Sequence, residues 1–554
     1  MNIENEKQLQ QQFFYNAHFA LVFLLVCRII SICFIPLNDV SEARYAEIAR
    51  KMLETGNWVT PLHDYGIPFW AKPPLSTWLS AFSMKLFGVN EFAVRLPGLF
   101  LSLVTIWLIW YLVKRHGGDV IAMITTLILA GTLYFFLDAG TVMTDPSLVL
   151  CITLVEVAFW RALVDGSKLW SYVFFIGLGL GLLAKGPVAV VLSGMPIFFW
   201  VLLRKQWRNL WERLPWIKGI MLMLAIALPW YIWAEIRTPG FLNYFIIGEN
   251  FNRFLKPGWA GDKYGYAHQQ SWGMIWVYAV IGTLPWCLLG AAWFIKCRHN
   301  VRKVFVDNDG WLSYFFLCTI VPLCFFTFSS NIIYTYVFPS IPAFSVFFVA
   351  YWERVGAILR VKQLITKLSI LVGVLFLGAT LAFNAIPEAI SKTEKFVVAA
   401  WLKQHPAAGS YLIYWSYKTE FSAQFYSGGR VKPAVSNKEL CRLLDNGLEN
   451  YLVIKPYNTT DISPELFSKM VLIQRVYSGD KRFLLMRIPV SAKQTCENIK
   501  TAKAGNSKYY YLEQGDLLRH VLTCCLNERC CRRTKNILSR CLKIGVAFER
   551  FCCS

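Results

Sequence analysis

Charge is scarce in this chain of 554 residues, and negative charge is scarcer still. Only 16% of residues are Asp, Glu, Lys or Arg, against about 25% in an ordinary soluble domain. The 34 acids face 56 bases, and histidine occurs seven times. A chain this poor in charge and rich in apolar residues is neither disordered nor, as a whole, a soluble enzyme. Three further absences narrow the reading. There is no Gly-rich phosphate loop, so no nucleotide is assigned. There is no internal repeat, which many secondary transporters show. Before residue 500 no Cys-x-x-Cys pair has zinc-finger spacing. What remains is 56% apolar and 16% aromatic, with 41 Phe, 25 Tyr and 22 Trp and a mean hydropathy of +0.43. That composition describes an integral membrane protein of many helices. The net charge of +22 is assigned mainly to loops held on the inner side. An anionic lipid substrate can use part of the rest, and no nucleic-acid partner is expected.

Apolar runs long enough to span a bilayer lie near 17–36, 97–113, 120–137, 147–163, 170–184, 186–203, 219–234, 273–295, 311–328, 335–352 and 365–386. Two more spans can hide in loops, so the expectation is about 11–13 transmembrane helices. Basic loops at 203–218, 296–310 and 353–364 orient the bundle with the N-terminus inside. Segments 37–96, 138–146, 235–272 and 329–334, and everything after about 388, then lie outside. Within 37–96, residues 42–54 and 73–87 read as amphipathic helices at the interface. Residues 1–387 are thus a transmembrane domain. Residues 388–490 alternate short β-rich runs with helical patterns, the rhythm of a small periplasmic α/β domain with a mostly parallel sheet. The tail, 491–554, carries seven of the sixteen cysteines in its last 31 residues. It reads as a poorly ordered extension.

Chemistry-bearing residues collect in the outer segments. Asp39 and Glu42 stand just beyond the first span, in Asp39-Val40-Ser41-Glu42-Ala43-Arg44-Tyr45. Acids near a membrane mark function, and either can act as a base or orient a sugar hydroxyl. Helix capping is the other reading of Asp39. Lys72 precedes two prolines, which hold its backbone and suit it to clamp a phosphate. Asp145 opens a span in Thr144-Asp145-Pro146. Lys185-Gly186-Pro187 separates two spans, with Lys185 either an interface anchor or a second cation. Arg253 lies among aromatics and can grip phosphate bidentately. His268 is a lone histidine near outer carboxylates. Tyr336, in Tyr334-Thr335-Tyr336, is either part of the aromatic belt or a phosphate donor.

The strings "SEARYAEIARKMLETGNWVTP" and "FWAKPPLSTW", followed in order by Thr-Asp-Pro, Lys-Gly, Arg-Phe, His and Thr-Tyr-Val, resemble the bacterial lipid-linked-sugar glycosyltransferases. That superfamily includes the aminoarabinose transferases acting on lipid A and the protein O-mannosyltransferases. The resemblance runs over about 17–350 in motifs and to about 490 with the α/β domain. It implies the multi-span GT-C fold. It also implies a sugar donor on undecaprenyl phosphate, used on the periplasmic face of a bacterial inner membrane. The acceptor it implies is lipid A, a surface polysaccharide or a protein. It makes Lys72, Arg253 and Tyr336 the lipid-phosphate clamp, with Lys185 as a further cation, and puts Glu42 and Asp145 at sugar and acceptor. Two positions depart from the aminoarabinose pattern. Ser41 precedes Glu42, with Asp39 displaced by two, and Ala71 replaces a glutamate before Lys-Pro. That glutamate, with the histidine matching His268, helps hold a metal in the relatives. The departure puts that metal in doubt: no cofactor is assigned as certain, and a divalent ion at His268 stays the one candidate. A transporter or flippase of lipid-linked material is the alternative class.

Overall fold

The computed structural model of the protein describes residues 3–265, 268–297, 309–354, 358–386, 392–416, 419–479 and 481–501. Residues up to Thr495 form one compact unit. The basic loop 296–310 falls almost wholly outside the described residues, as does part of 353–364. The tail after Thr501 lies outside them too.

Apolar sequence dictates helix here, because a helix alone satisfies its own backbone in lipid. The chain begins with α1 (Ile3–Phe34), then α2 (Ser41–Thr55), a two-stranded hairpin of β1 (Leu62–Asp64) and β2 (Ile67–Pro68), and α3 (Leu75–Phe87). There follow α4 (Glu91–Ala130), α5 (Leu133–Asp138), α6 (Asp145–Leu163), α7 (Lys168–Lys185), α8 (Pro187–Arg204), α9 (Trp207–Arg213) and α10 (Trp216–Arg237). Among the described residues eight helices are long and apolar enough to cross a membrane, or nine if the pair Met274–Gly282 and Trp286–Ala292, bent by 98°, counts as one. Two features make that count smaller than the sequence reading. The 40-residue α4 is two segments, because Gly118 leaves helical geometry at φ 80° and ψ −179°, a left-handed φ that glycine adopts freely. Trp311–Thr327 is apolar but only 17 residues long. With these allowed for, each apolar run read from the sequence has its helical counterpart.

The core lies where the spans meet. Helix α6 is buried around most of its surface and packs on α4, α7 and α8. Away from the motif segments, Phe159, Trp160, Trp200, Trp311, Tyr314 and Phe315 form an aromatic cluster, edge-to-face except where Phe159 stacks on Tyr314. The two amphipathic helices expected in 37–96 are α2 and α3. Helix α2 buries Ala43, Ala46, Ile48, Ala49 and Met52 on one face and packs against α3, which in turn lies on α4.

The α/β domain holds a five-stranded sheet in the order β4-β3-β5-β7-β6, from β3 (Leu412–Trp415), β4 (Val431–Ala434), β5 (Asn450–Ile454), β6 (Val471–Ser478) and β7 (Lys481–Ile488). The sheet is mixed, which corrects the expectation of a mostly parallel one. β3 pairs in parallel with β4 and β5, but β7 pairs antiparallel with β5 and β6. The gap between Ser478 and Lys481 is far too short for a parallel crossover. Strand β4 was not foreseen because it contains Pro433; it is an edge strand, where proline removes no needed donor. The domain is fastened to α2. Phe421 and Phe425, on the helix Phe421–Ser427, join the Leu37, Ala46 and Met52 cluster. Lys51, fully buried, donates to Asp64 at 2.9 Å, the His63 carbonyl at 3.1 Å and Gln424 Oε1 at 2.9 Å.

Candidate functional site

Two cations meet one carboxylate oxygen at the end of the bundle that carries α2 and α3. Glu249 Oε2 accepts from Lys72 Nζ at 3.1 Å and from Arg253 Nη1 at 3.0 Å. Its Oε1 accepts from the Tyr244 hydroxyl at 3.1 Å. Asp262 lies 3.6 Å from Arg253 Nη1. Burial alone would raise the Glu249 carboxyl, but Lys72 and Arg253 outweigh it and hold it below the usual range, so it is ionised. Sequence explains the placement. Pro73 and Pro74 fix the backbone after Lys72, and its Nζ also donates to the Ala71 carbonyl at 2.7 Å. Glu249 and Arg253 are four residues apart in and just after a π-helical segment, Asn243–Asn252. Such segments are frequent at functional sites. Aromatic side chains wall this clamp: Tyr244 packs between Trp70, Trp259 and Tyr264. Lys263 lies 4.3 Å from the Trp70 ring centre and 5.2 Å from that of Tyr244.

Tyr336 joins this clamp to a second ion pair. It lies within electrostatic reach of both Arg253 and Lys185, stacks on Phe326 at 4.3 Å, and has the Lys185 ammonium 5.7 Å from its ring centre. Lys185 Nζ donates to Asp145 Oδ1 at 2.6 Å, with both side chains nearly buried. The turn after Lys185 demands glycine. Gly186 has φ +86°, and a Cβ there would lie 2.5 Å from Phe245 Cζ. Glu42 makes the third pair, a bidentate one with Arg95 Nε and Nη2, both at 2.8 Å. Burial would raise Glu42, but Arg95, with the Asn38 amide and Arg28, lowers it below the ordinary carboxylate range. The structure thus brings Glu42, Lys72, Asp145, Lys185, Arg253 and Tyr336 to one end of the bundle.

Asp39 is held outside that group. Asp39 turns into the α/β domain, where its carboxylate accepts from the Ser422 amide at 3.0 Å and from the Ser422 hydroxyl. Burial pushes its pKa up to about 7; the Ser422 bonds oppose this, and Glu420 and Glu394 add to it. Asp39 therefore does not cap the helix that holds Glu42, whose N-cap is Val40 with no side-chain cap bond; it bonds instead to the start of the helix Phe421–Ser427. His268 is exposed, and its carbonyl accepts from the Ile332 amide at 3.0 Å. Its motif neighbours Tyr266 and Ala267 lie outside the described residues. Among the described residues no group of three His, Cys, Asp or Glu side chains is close enough to hold a metal ion. Ala71 supplies no ligand, and no step of the chemistry is routed through a metal.

Three members of the site escaped the sequence reading as chemistry: Glu249, Arg95 and Tyr244. Glu249 precedes Arg253 by four residues, and that spacing was the available signal. Arg95 stands two residues before the apolar run 97–113, and a base so close to hydrocarbon marks a partner to be found. Tyr244 gave no signal among so many aromatics.

Residues 22–245 match the family described as dolichyl-phosphate-mannose-protein mannosyltransferase. The chain is 27% identical over 388 residues to an undecaprenyl phosphate-α-4-amino-4-deoxy-L-arabinose arabinosyl transferase of Pseudomonas fluorescens, covering 65% of this chain and 63% of that one. It is 30% identical over 359 residues to one from Proteus mirabilis, covering 62% and 61%. The chain thus spans less than two thirds of the length of these relatives. In fold it is similar to ArnT from Cupriavidus metallidurans, solved bound to undecaprenyl phosphate. That likeness has a TM-score of 0.69 at 19% identity, over 86% of this chain and 98% of that one. The protein is a multi-pass membrane protein with the GT-C architecture.

Proposed function

We propose that the chain, which is similar to the aminoarabinose transferases and carries a match to the protein mannosyltransferase family, transfers a sugar from a polyprenyl-phosphate donor to an acceptor at the outer face of a bacterial inner membrane. The observation that carries this reading is the convergence of Lys72 and Arg253 on a single oxygen position. In transfer, the bond between the sugar C1 and the phosphate oxygen breaks, and its electron pair stays on the lipid phosphate. Lys72 and Arg253 face that growing charge, with Tyr336 as a neutral donor. Preorganised cations there lower the barrier without reorganising. A new bond forms between C1 and an acceptor oxygen.

The acceptor class follows from the acids. Glu42, Asp145 and Glu249 each hold a cation at 2.6–3.1 Å. A carboxylate paired in this way is a weak base. A hydroxyl acceptor needs a base; a phosphate acceptor is already an anion and needs none. The reading therefore favours a phosphate on a lipid such as lipid A over a hydroxyl of polysaccharide or protein. The outward placement of the α/β domain is supported by Cys441, which is disulfide-bonded, as befits an oxidising compartment.

Purified protein in detergent, given a polyprenyl-phosphate sugar and lipid A, should move sugar to the lipid phosphate with no membrane gradient. Dephosphorylated lipid A should not accept it. Transport of the intact donor without transfer would support a flippase and overturn the reading. In a cysteine-free background, single cysteines at the exposed Lys256 and Lys438 should react with an impermeant maleimide on spheroplasts. One at Asn209 should react only after lysis.

A further inference from the structure

The clamp holds more counter-charge than a phosphate site needs. Glu249 occupies the place where Lys72 and Arg253 converge, and its side chain is 3% exposed. Tyr244 fixes its second oxygen, and Tyr244 in turn accepts from the Lys263 amide at 3.1 Å. Asp262, 5% exposed, faces Arg253 from the other side at 3.6 Å. Arg253 Nε is buried with no partner, so the guanidinium keeps a donor for a ligand while Nη1 is held by the acids. Glu249 cancels one of the two positive charges of Lys72 and Arg253, and Asp262 offsets part of the other from farther away; without Glu249 the clamp is more positive by one unit.

The substrate and the product of the proposed transfer differ in that same quantity. This inference rests on the transferase reading above. A sugar–phosphate diester carries one negative charge at every relevant pH. The lipid monophosphate left behind carries between one and two, since its second proton leaves near pH 6. A bare pair of cations in a partly buried site would bind the doubly charged product more tightly than the singly charged donor. We propose that Glu249 is a positioning and charge-balancing residue: it holds the two cations at one point while matching the clamp to the diester, so that the lipid monophosphate is released. Asp262 does the same from a greater distance.

The test compares two constants in one protein. In detergent, the KM for the polyprenyl-phosphate sugar and the inhibition constant for polyprenyl monophosphate are measured for wild type, Glu249→Gln, Glu249→Asp and Asp262→Asn. At about pH 8, where the monophosphate is a dianion, Glu249→Gln should bind it about tenfold more tightly or better. The KM should change much less, and kcat should fall as product release slows. At about pH 5, where the monophosphate is mostly a monoanion, the gain should shrink. Glu249→Asp should restore the wild-type ratio, and Asp262→Asn should shift it in the same direction by less, which keeps the test open should Glu249→Gln fail to fold. If the inhibition constant and KM instead rise together in the glutamine variant, Glu249 only holds the cations in place and the proposal falls. An unchanged inhibition constant in both variants overturns it as well. If wild type neither transfers sugar nor binds polyprenyl monophosphate, measured directly by quenching of its tryptophan fluorescence, the transferase reading has failed and not this one.

Discussion

The two ends of the helix bundle use the same kinds of charge to opposite purpose. At the end opposite the motifs, Lys114 pairs with Asp119 at 2.8 Å and Arg208 with Glu212 at 2.7 Å, all with side chains about half exposed or more. At the motif end, Glu42 pairs with Arg95, Asp145 with Lys185, and Glu249 with Lys72 and Arg253, none more than 20% exposed. Exposed pairs contribute little, because water and salt screen them and their side chains lose entropy. Buried pairs have already lost their water. Breaking one leaves an unsatisfied charge, and an incoming anion meets cations that are already desolvated. The difference teaches that a site is marked less by charge than by charge that water has left.

The comparison breaks most sharply in activity. Lys72→Ala and Arg253→Ala should each lower transfer by about 10²–10³ or more, while the unfolding transition in detergent stays in place. Arg208→Ala at the opposite end should leave the rate alone. Wild-type rates in both clamp variants would remove the clamp. In stability, Arg95→Ala should cost about 3–5 kcal/mol, because it strands Glu42. Lys114→Ala should cost under about 1 kcal/mol. Equal losses in a denaturant series would erase the distinction between the ends.

A smaller effect is expected at Asp39. Its pKa is raised from 3.8 to about 7 in the folded protein, so between those values the folded state binds more protons than the unfolded one. Its contribution is fully present below about pH 4 and is lost as pH rises through about 7. Thermal unfolding of the wild type should therefore weaken over that window, and Asp39→Asn should flatten the slope. An unaltered slope would show that Asp39 is not the group responsible. Smallest of all should be the response to chelators, since Ala71 supplies no ligand and no group of three ligating side chains stands together among the described residues. A stoichiometric zinc needed for turnover would sink that expectation.

Much of the fold could be read from periodicity. The run Ser41–Thr55 is amphipathic with its apolar positions on one face, and it became α2. The apolar runs became helices because nothing else satisfies a backbone in lipid. The pairings could not be read. That Glu42 meets Arg95 and that Lys185 meets Asp145 are facts of tertiary packing, across 53 and 40 residues of chain. Asp39 was legible as an acid at a helix start, but its partner Ser422 lies 383 residues away, and no local signal reaches so far. Pro433 hid a strand for a different reason: local propensity argued against it, and the edge position that excuses it exists only in the assembled sheet.

The fastening of the first outer segment to the α/β domain also sets an order of events. Ser422, Gln424 and Tyr426 hold Asp39, Lys51 and the Leu37 amide, yet they are synthesised more than 370 residues later. At about 5–20 residues per second, α2 leaves the ribosome roughly 20–80 s before its partner exists. During that interval Lys51 and the apolar face of α2 have no lid. Assembly of the site therefore ends at the C-terminal domain, and a chain halted before it would present an unfinished first segment to the proteases of its compartment.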